Sequence, residues 1–285
     1  MITALTEARK ESVLRRMLKD PRLIFCSIIL TLFVCIGIAA PWISPYDPQL
    51  MHPGKSLTGP SSEHWLGTDQ LSRDVLSRLI HGTRISLQIS VYSVTLAVIL
   101  GVSIGVVSSY FGGWISSILM RSIDILLAFP ALVLAIVVAA YLGASMVNIA
   151  LVIAVVYMPV IARLTYVVSL AIKRAEFVEA ALVVGSSHLR VILRAVLPNA
   201  IAPLIVQIAL SLGAAIMTES GLSFLGVGVP PPAPSWGSQI ASSRLILNLD
   251  PLQVVWPALV IFLAILSFNL LGDAIRDFLD PRVGR

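Results

Sequence analysis

Charge is what this chain has least of. Asp, Glu, Lys and Arg make up 12% of its 285 residues, while hydrophobic types make up 57%. A soluble domain carries roughly a quarter charged residues, so this composition excludes an ordinary soluble fold and points to a polytopic membrane protein. Cysteine is scarce too. Cys26 and Cys35 lie nine residues apart in one apolar run, on opposite helix faces and some 13 Å apart at about 1.5 Å and 100° per residue, which excludes a disulfide between them. The four histidines, His52, His64, His81 and His188, show no tight ligand spacing and read as solvated side chains. No G-x-x-x-x-G-K-[ST] phosphate loop is present, so this chain lacks that means of binding ATP. The net charge of +5 sits at the ends of apolar runs rather than on a clustered soluble face, which excludes nucleic acid as a partner.

What is abundant is long apolar runs. Six are long enough to cross a hydrocarbon core of about 30 Å as helices: residues 23–40, 85–108, 115–142, 148–172, 200–218 and 253–271. The first follows a basic segment and precedes Ala39-Ala40. Its apolar core of about 18 residues exceeds the usual h-region of a signal peptide, so it reads as a retained anchor. With the N-terminus inside, fifteen of the twenty Lys and Arg fall on inner segments and five, Lys55, Arg73, Arg78, Arg84 and Arg244, on outer ones. That asymmetry predicts cytoplasmic termini.

Span two carries Ser93, Ala97, Gly101, Gly105 and Ser109 at four-residue spacing, a small-residue stripe that admits a close helix. Packing within the chain and packing against a second subunit both fit. Pro130, Pro159, Pro203 and Pro257 lie in or at the edges of spans and predict kinks. Ionisable groups are nearly absent from mid-span. Arg121 and Asp124, three apart near one end of span three, are placed to pair with each other. An ion-coupled carrier places such groups near the midplane, so their scarcity argues against that class. It also leaves no nucleophile–base set for a membrane-embedded enzyme. Gly101-Val102-Ser103-Ile104-Gly105 matches a hydrolase elbow only in letters, because that serine lies within a helix.

Between spans four and five lies a polar island. Residues 175–184 suit a short helix with Glu176 and Glu179 in its first turns, Gly185 supplies the left-handed residue that ends it, and Ser186 or Ser187 can cap the next helix. That helix places Leu189, Ile192, Leu193, Val196 and Leu197 on one apolar face. Ala180 and Ala181 lack bulk, so a partner groove can close around the first helix. Two further segments stand out. Thr68 or Asp69 can cap a short interfacial helix with Leu71, Val75, Leu76, Leu79 and Ile80 on one face and Gly82 at its end. The proline- and glycine-rich run 226–237 ends in Ser235-Trp236-Gly237, with Trp236 suited to a membrane interface.

Glu179-Ala180-Ala181, Gly185 four residues after the second alanine, and Leu197-Pro198-Asn199 together resemble the EAA loop of inner-membrane permeases in binding-protein-dependent ABC importers. With 67–79, 223–237 and 268–281 the likeness to the DppC/OppC-type dipeptide, oligopeptide and nickel permeases covers essentially the whole chain. Ser72 departs from it, standing where the family often has glycine before Arg-Asp. The resemblance implies an all-α type I transmembrane domain of six helices. Its parts would be a cytoplasmic tail (1–22), an anchor (23–40), a periplasmic segment with a short interfacial helix (41–84), a core (85–272) with a coupling loop (173–199), and a C-terminal tail (273–285). It further implies a non-catalytic, multi-pass subunit of a bacterial or archaeal cytoplasmic membrane. The partners implied are a homologous second permease, two ATPase subunits or domains that hold ATP and Mg, a periplasmic or lipid-anchored binding protein, and membrane lipid. Cofactor and metal sites are expected to be absent from this chain. Glu179, Ala180, Ala181, Gly185, Pro198 and Asn199 would couple to the ATPase. Tyr157, Gln207 and Ser211, polar residues in apolar spans, either line the path or hydrogen-bond between helices. Di- or oligopeptides are the expected cargo, with nickel, glutathione or another small solute as alternatives.

Overall fold

The structure is a computed structural model, and it describes residues 19–279. Among these residues the architecture is helical, with one isolated antiparallel bridge, Thr68 to Asp74. Helix α1, Pro21–Ile43, starts where Asp20 Oδ1 accepts from Arg22 N at 2.8 Å, with proline in its first turn. Such a start satisfies a donor that the helix cannot satisfy itself. Its first turn is tied to the far end of the chain through Arg22 and Asp277 at 2.9 Å. Helix α2, Val75–Phe111, has 37 residues and is about 55 Å long, so it outruns the hydrocarbon core.

The expected short interfacial helix does not form separately. Asp74, not Thr68 or Asp69, is the N-cap, with its carboxylate accepting from Ser77 N, and the helix runs through Gly82 without ending. Gly82 serves contact instead of a turn. A Cβ there would lie 2.8 Å from Gln239 Nε2 and 3.1 Å from Trp236 Cδ1.

The expected third span is two helices, α3 (Gly113–Leu127) and α4 (Ala131–Leu142), bent by 96°. Pro130 stands at the N-cap of α4, where its ring and missing N–H forbid a straight continuation. Helix α5, Met146–Lys173, follows a Ser145 cap. Among the described residues five helices are long and apolar enough to cross a membrane, six spans if the bent pair counts as one. Asp124 does not pair with Arg121. Its carboxylate meets Arg163 of α5 at 3.4 Å.

The small-residue stripe of α2 packs within the chain, against α5. A Cβ on Gly101 would lie 2.9 Å from the Met158 carbonyl, and one on Gly105 2.6 Å from that of Ala162. Larger residues at these positions would force the helices apart, removing the dispersion contacts that hold them. Cys26 is buried and Cys35 exposed, both free thiols.

One end of the bundle is closed by residues 44–74 and 225–251. Here Arg73 meets Asp69 at 2.7 Å, Arg78 approaches the same carboxylate at 3.6 Å, and His64 Nδ1 lies 2.9 Å from Asp74 Oδ1, all five side chains buried or nearly so. His64 is therefore a packed histidine, not a solvated one. Beside them Lys55 pairs with Glu63, and the ammonium holds that carboxyl below the usual carboxylate range. Helix α9, Trp236–Ser243, enters this end under a Ser235 capping box. Trp236 is completely buried, its ring 5.5 Å from that of Phe33, so it belongs to the core and not to an interface.

Candidate coupling site

The opposite end carries the polar island. Helix α6 spans Glu176–Val183, with Glu176 and Glu179 in its first turn where carboxylates favour the helix dipole. Its end is a Schellman closure. Gly185 N–H bonds the Leu182 carbonyl at 2.9 Å and Ser186 N–H bonds that of Ala181 at 3.0 Å, pairing carbonyls that the helix leaves open. Gly185 takes φ +84, with open space where a Cβ would stand. Its demand is conformational, not steric. Ser187 occupies the next N-cap position, but its hydroxyl makes no capping bond.

The second helix differs from its expected form. Helix α7, His188–Val191, passes through a π turn, Ile192–Val196, straight into α8, Leu197–Phe224. The π turn adds a residue to the register, so Val191 and Val196, five apart, face inward. Leu189 and Leu193, expected on that face, are instead 66% and 54% exposed. Pro198 falls in the first turn of α8, where proline is tolerated, and Asn199 Nδ2 bonds back to the Ala195 carbonyl at 2.7 Å.

Rigidity comes from Tyr110, near the C-terminus of α2, which the sequence reading did not single out. Its ring packs with Val178, Val191 and Val196. Its hydroxyl lies 2.8 Å from His188 Nδ1, and its carbonyl accepts from Lys173 Nζ at 2.5 Å. The loop is thus bolted to α2 and α5 and runs unbroken into α8. Outward it leaves Glu179, Ala180, Gly185, Pro198 and Asn199 exposed, while Ala181 turns partly into the contact with the core. Phe177, Leu189 and Leu193 are more than half exposed, and Val183 and Val184 are 87% and 86% exposed. A group of large apolar side chains on a rigid surface is the mark of an interaction site.

The other proposed residues lie away from this loop. Gln207 Nε2 donates to Ser211 Oγ at 3.3 Å, and Ser211 is buried. Tyr157 is separate, its hydroxyl donating to the Ala214 carbonyl at 3.0 Å and lying 2.8 Å from Thr218 Oγ1, so it ties α5 to α8. Sequence reasoning missed Glu219, which is 1% exposed. Three serines donate to its carboxyl group: Ser235 at 2.8 Å, Ser223 at 2.9 Å and Ser86 at 3.4 Å. The last of these also accepts from Trp236 N. Only Ser223, four residues on, was a local signal. Among the described residues no group of three or more His, Cys, Asp or Glu is placed to hold a metal.

Against known proteins, this chain is similar over 256 residues, 39% identical, to the dipeptide transport system permease protein DppC of Alkalihalophilus pseudofirmus, covering 90% of this chain and 84% of the relative. It is 37% identical over 270 residues to the glutathione transport system permease protein GsiD of Pectobacterium atrosepticum, covering 94% and 90%. In fold it resembles a chain of the inward-facing MetNI methionine ABC transporter in its CY5 native crystal form. The TM-score is 0.58 at 16% identity, with 72% of this chain and 98% of that one covered. Residues 11–60 match the N-terminal transmembrane domain of oligopeptide transport permease C. Residues 97–285 match the inner membrane component of binding-protein-dependent transport systems, and the chain belongs to that family.

Proposed function

We propose that this chain is the membrane-spanning subunit that carries di- or oligopeptides in a binding-protein-dependent ABC importer, and that its 173–199 loop is where ATPase motion enters the bundle. The observation that carries this reading is the loop itself. A helix closed at Gly185 presents Glu179 and Ala180 outward beside Val183 and Val184, and Tyr110 of α2 fixes it to α2 and α5. A push on such a loop moves the helices, because nothing between them is slack. ATP and Mg belong to the partner ATPases, and a homologous permease completes the path. A binding protein delivers cargo at the 44–74 end, outside, while both termini and the loop lie in the cytoplasm. Gln207 and Ser211 serve as a hydrogen-bonded pair along the path, whereas the bonds of Tyr157 favour a role in joining helices. Peptide cargo is favoured by the dipeptide permease relative. The second reading, glutathione, is favoured by relatives that cover slightly more of the chain.

The deciding experiment is uptake by the assembled complex in proteoliposomes, with dipeptides and glutathione offered separately. Dipeptide-dependent ATP turnover supports the first reading, glutathione-dependent turnover replaces it with the second, and ATP turnover by this chain alone removes both. Orientation is tested with single cysteines at Ser62 and Ser187, both exposed, after Cys26 and Cys35 are replaced. An impermeant thiol reagent should reach Ser62→Cys in intact cells and Ser187→Cys only after permeabilisation. The reverse pattern inverts the topology.

A further inference from the structure

Between helices α1 and α2 lies an open cleft of about 600 Å³. Its walls are apolar, drawn chiefly from Val34, Gly37 and Ile38 of α1 and Leu87, Val91 and Tyr92 of α2. Gly37 lies directly against α2, where a Cβ would meet Arg84 Cα at 3.5 Å, an ordinary contact distance. The same contact fixes the depth of Arg84. It is level with Gly37, while Trp42, 80% exposed, stands five residues nearer the helix end, about 7.5 Å. Tryptophan at a helix end marks the headgroup level, and an arginine one to two turns deeper reaches that level by extending its side chain. Arg84 is exposed, and among the described residues its guanidinium has no ion pair or hydrogen bond.

A cation at the headgroup level over an apolar slot is complementary to a phosphodiester with a hydrocarbon tail. From Arg84 to Tyr92 the slot runs about 12 Å along α2. A second recess, lined by Tyr92, Leu96, Val147 and Leu151 among others, extends it to about 18 Å. That is close to the ~15 Å half-thickness of a bilayer core. We infer that the α1–α2 cleft binds one phospholipid, with its phosphate on Arg84 and an acyl chain laid between Gly37 and Tyr92. The inference rests on the membrane-subunit reading, but on neither the cargo nor the orientation of the chain.

The test uses the assembled complex in bilayers containing a phospholipid with a photoactivatable diazirine in its acyl chain, with labelled peptides mapped after irradiation. Label should concentrate on the α1 and α2 peptides that line the cleft. Arg84→Gln should lower it about five-fold, the size expected of losing one partly exposed charge pair, Arg84→Lys should retain most of it, and excess inorganic phosphate should not displace it. Val91→Trp, which fills the slot from a position 46% exposed, should abolish it. Label spread evenly over all membrane-facing helices and indifferent to Arg84 would mean ordinary annular lipid and overturn the site. So would a benzoylphenylalanine at Ile38 that captures a polypeptide neighbour, since a protein would then occupy the cleft. If the membrane-subunit reading itself were wrong, no helix would take label at all, which is a different result.

Discussion

The two ends of the bundle solve opposite problems. At the 44–74 end the polar groups go inside. Asp69 holds Arg73 and Arg78, Asp74 holds His64 and caps α2, and Glu219 gathers three serines from three parts of the chain. At the loop end apolar groups go outside, with Val183, Val184 and Leu189 mostly exposed. Buried ion pairs are costly to desolvate and survive only when geometry satisfies them, so the first end is held together by its own polar contacts. Exposed apolar side chains on a rigid helix gain nothing until something covers them, so the second end is incomplete by design. The contrast teaches where to look for stability and where to look for assembly: substitutions at the first end should unfold the protein, and those at the second should disconnect it.

The largest effect is expected from Asp69→Ala. It leaves two buried guanidinium groups facing each other without their shared carboxylate, and breaking a buried pair by removing one partner costs about 3–5 kcal/mol. Membrane abundance and the melting temperature of the purified complex should both fall steeply, and residues 44–74 should become sensitive to protease. A variant with wild-type melting would show that this end is not held by its ion pairs.

Next in size is Gly185→Pro, which tests the other end. Proline cannot take φ +84 and lacks the N–H that bonds Leu182. The damage should stay local, because the space around Gly185 is open. Normal abundance with lost ATPase co-purification and lost uptake is the expected signature. If uptake persists with the ATPase fully bound, the loop is a mere connection. Val184→Asp sharpens the point. At 86% exposure it should change stability by less than about 0.5 kcal/mol, yet weaken ATPase capture, because a charge in the covered apolar patch must be desolvated. Equal capture by wild type and variant would mean that the patch faces something else.

What was legible in the sequence follows from range. Five of the six spans, the end of α6 at Gly185 and the small-residue stripe of α2 are local patterns, set by residues within a few turns of each other, and they were readable. The misreadings concern partners far along the chain. Gly82 looked like a helix stop because its reason, Trp236, lies more than a hundred and fifty positions away. Asp124 met Arg163 rather than its neighbour, and Glu219 fell just past the apparent end of a span, with no local sign that Ser86 would reach it. The face of α7 failed for another reason. Counting at 3.6 residues per turn cannot foresee a π turn, and one added residue rotated Leu189 and Leu193 outward. The candidate coupling residues were therefore legible as a motif, while Tyr110, the anchor that makes the loop rigid, was not.

The smallest expected effect comes from the one departure from the family pattern, and it sharpens the comparison at the well-built end. Ser72 sits at φ +59, in the left-handed region where a Cβ crowds the following carbonyl at about 1–2 kcal/mol. Its own N–H bonds the Asp69 carbonyl, and its carbonyl accepts from His52 N, so the surrounding bonds hold it there. Glycine would remove that strain, but it would also enlarge the unfolded ensemble by about 0.4–1 kcal/mol. Ser72→Gly should accordingly stabilise by between about 0 and 1.6 kcal/mol, the difference between these terms, read as a melting temperature raised by a few degrees with uptake unchanged. Ser72→Val should move the other way and further, since a β-branched side chain at positive φ is worse than serine. If glycine lowers the melting temperature, the serine hydroxyl has a bonding role at this turn that outweighs the strain of its backbone.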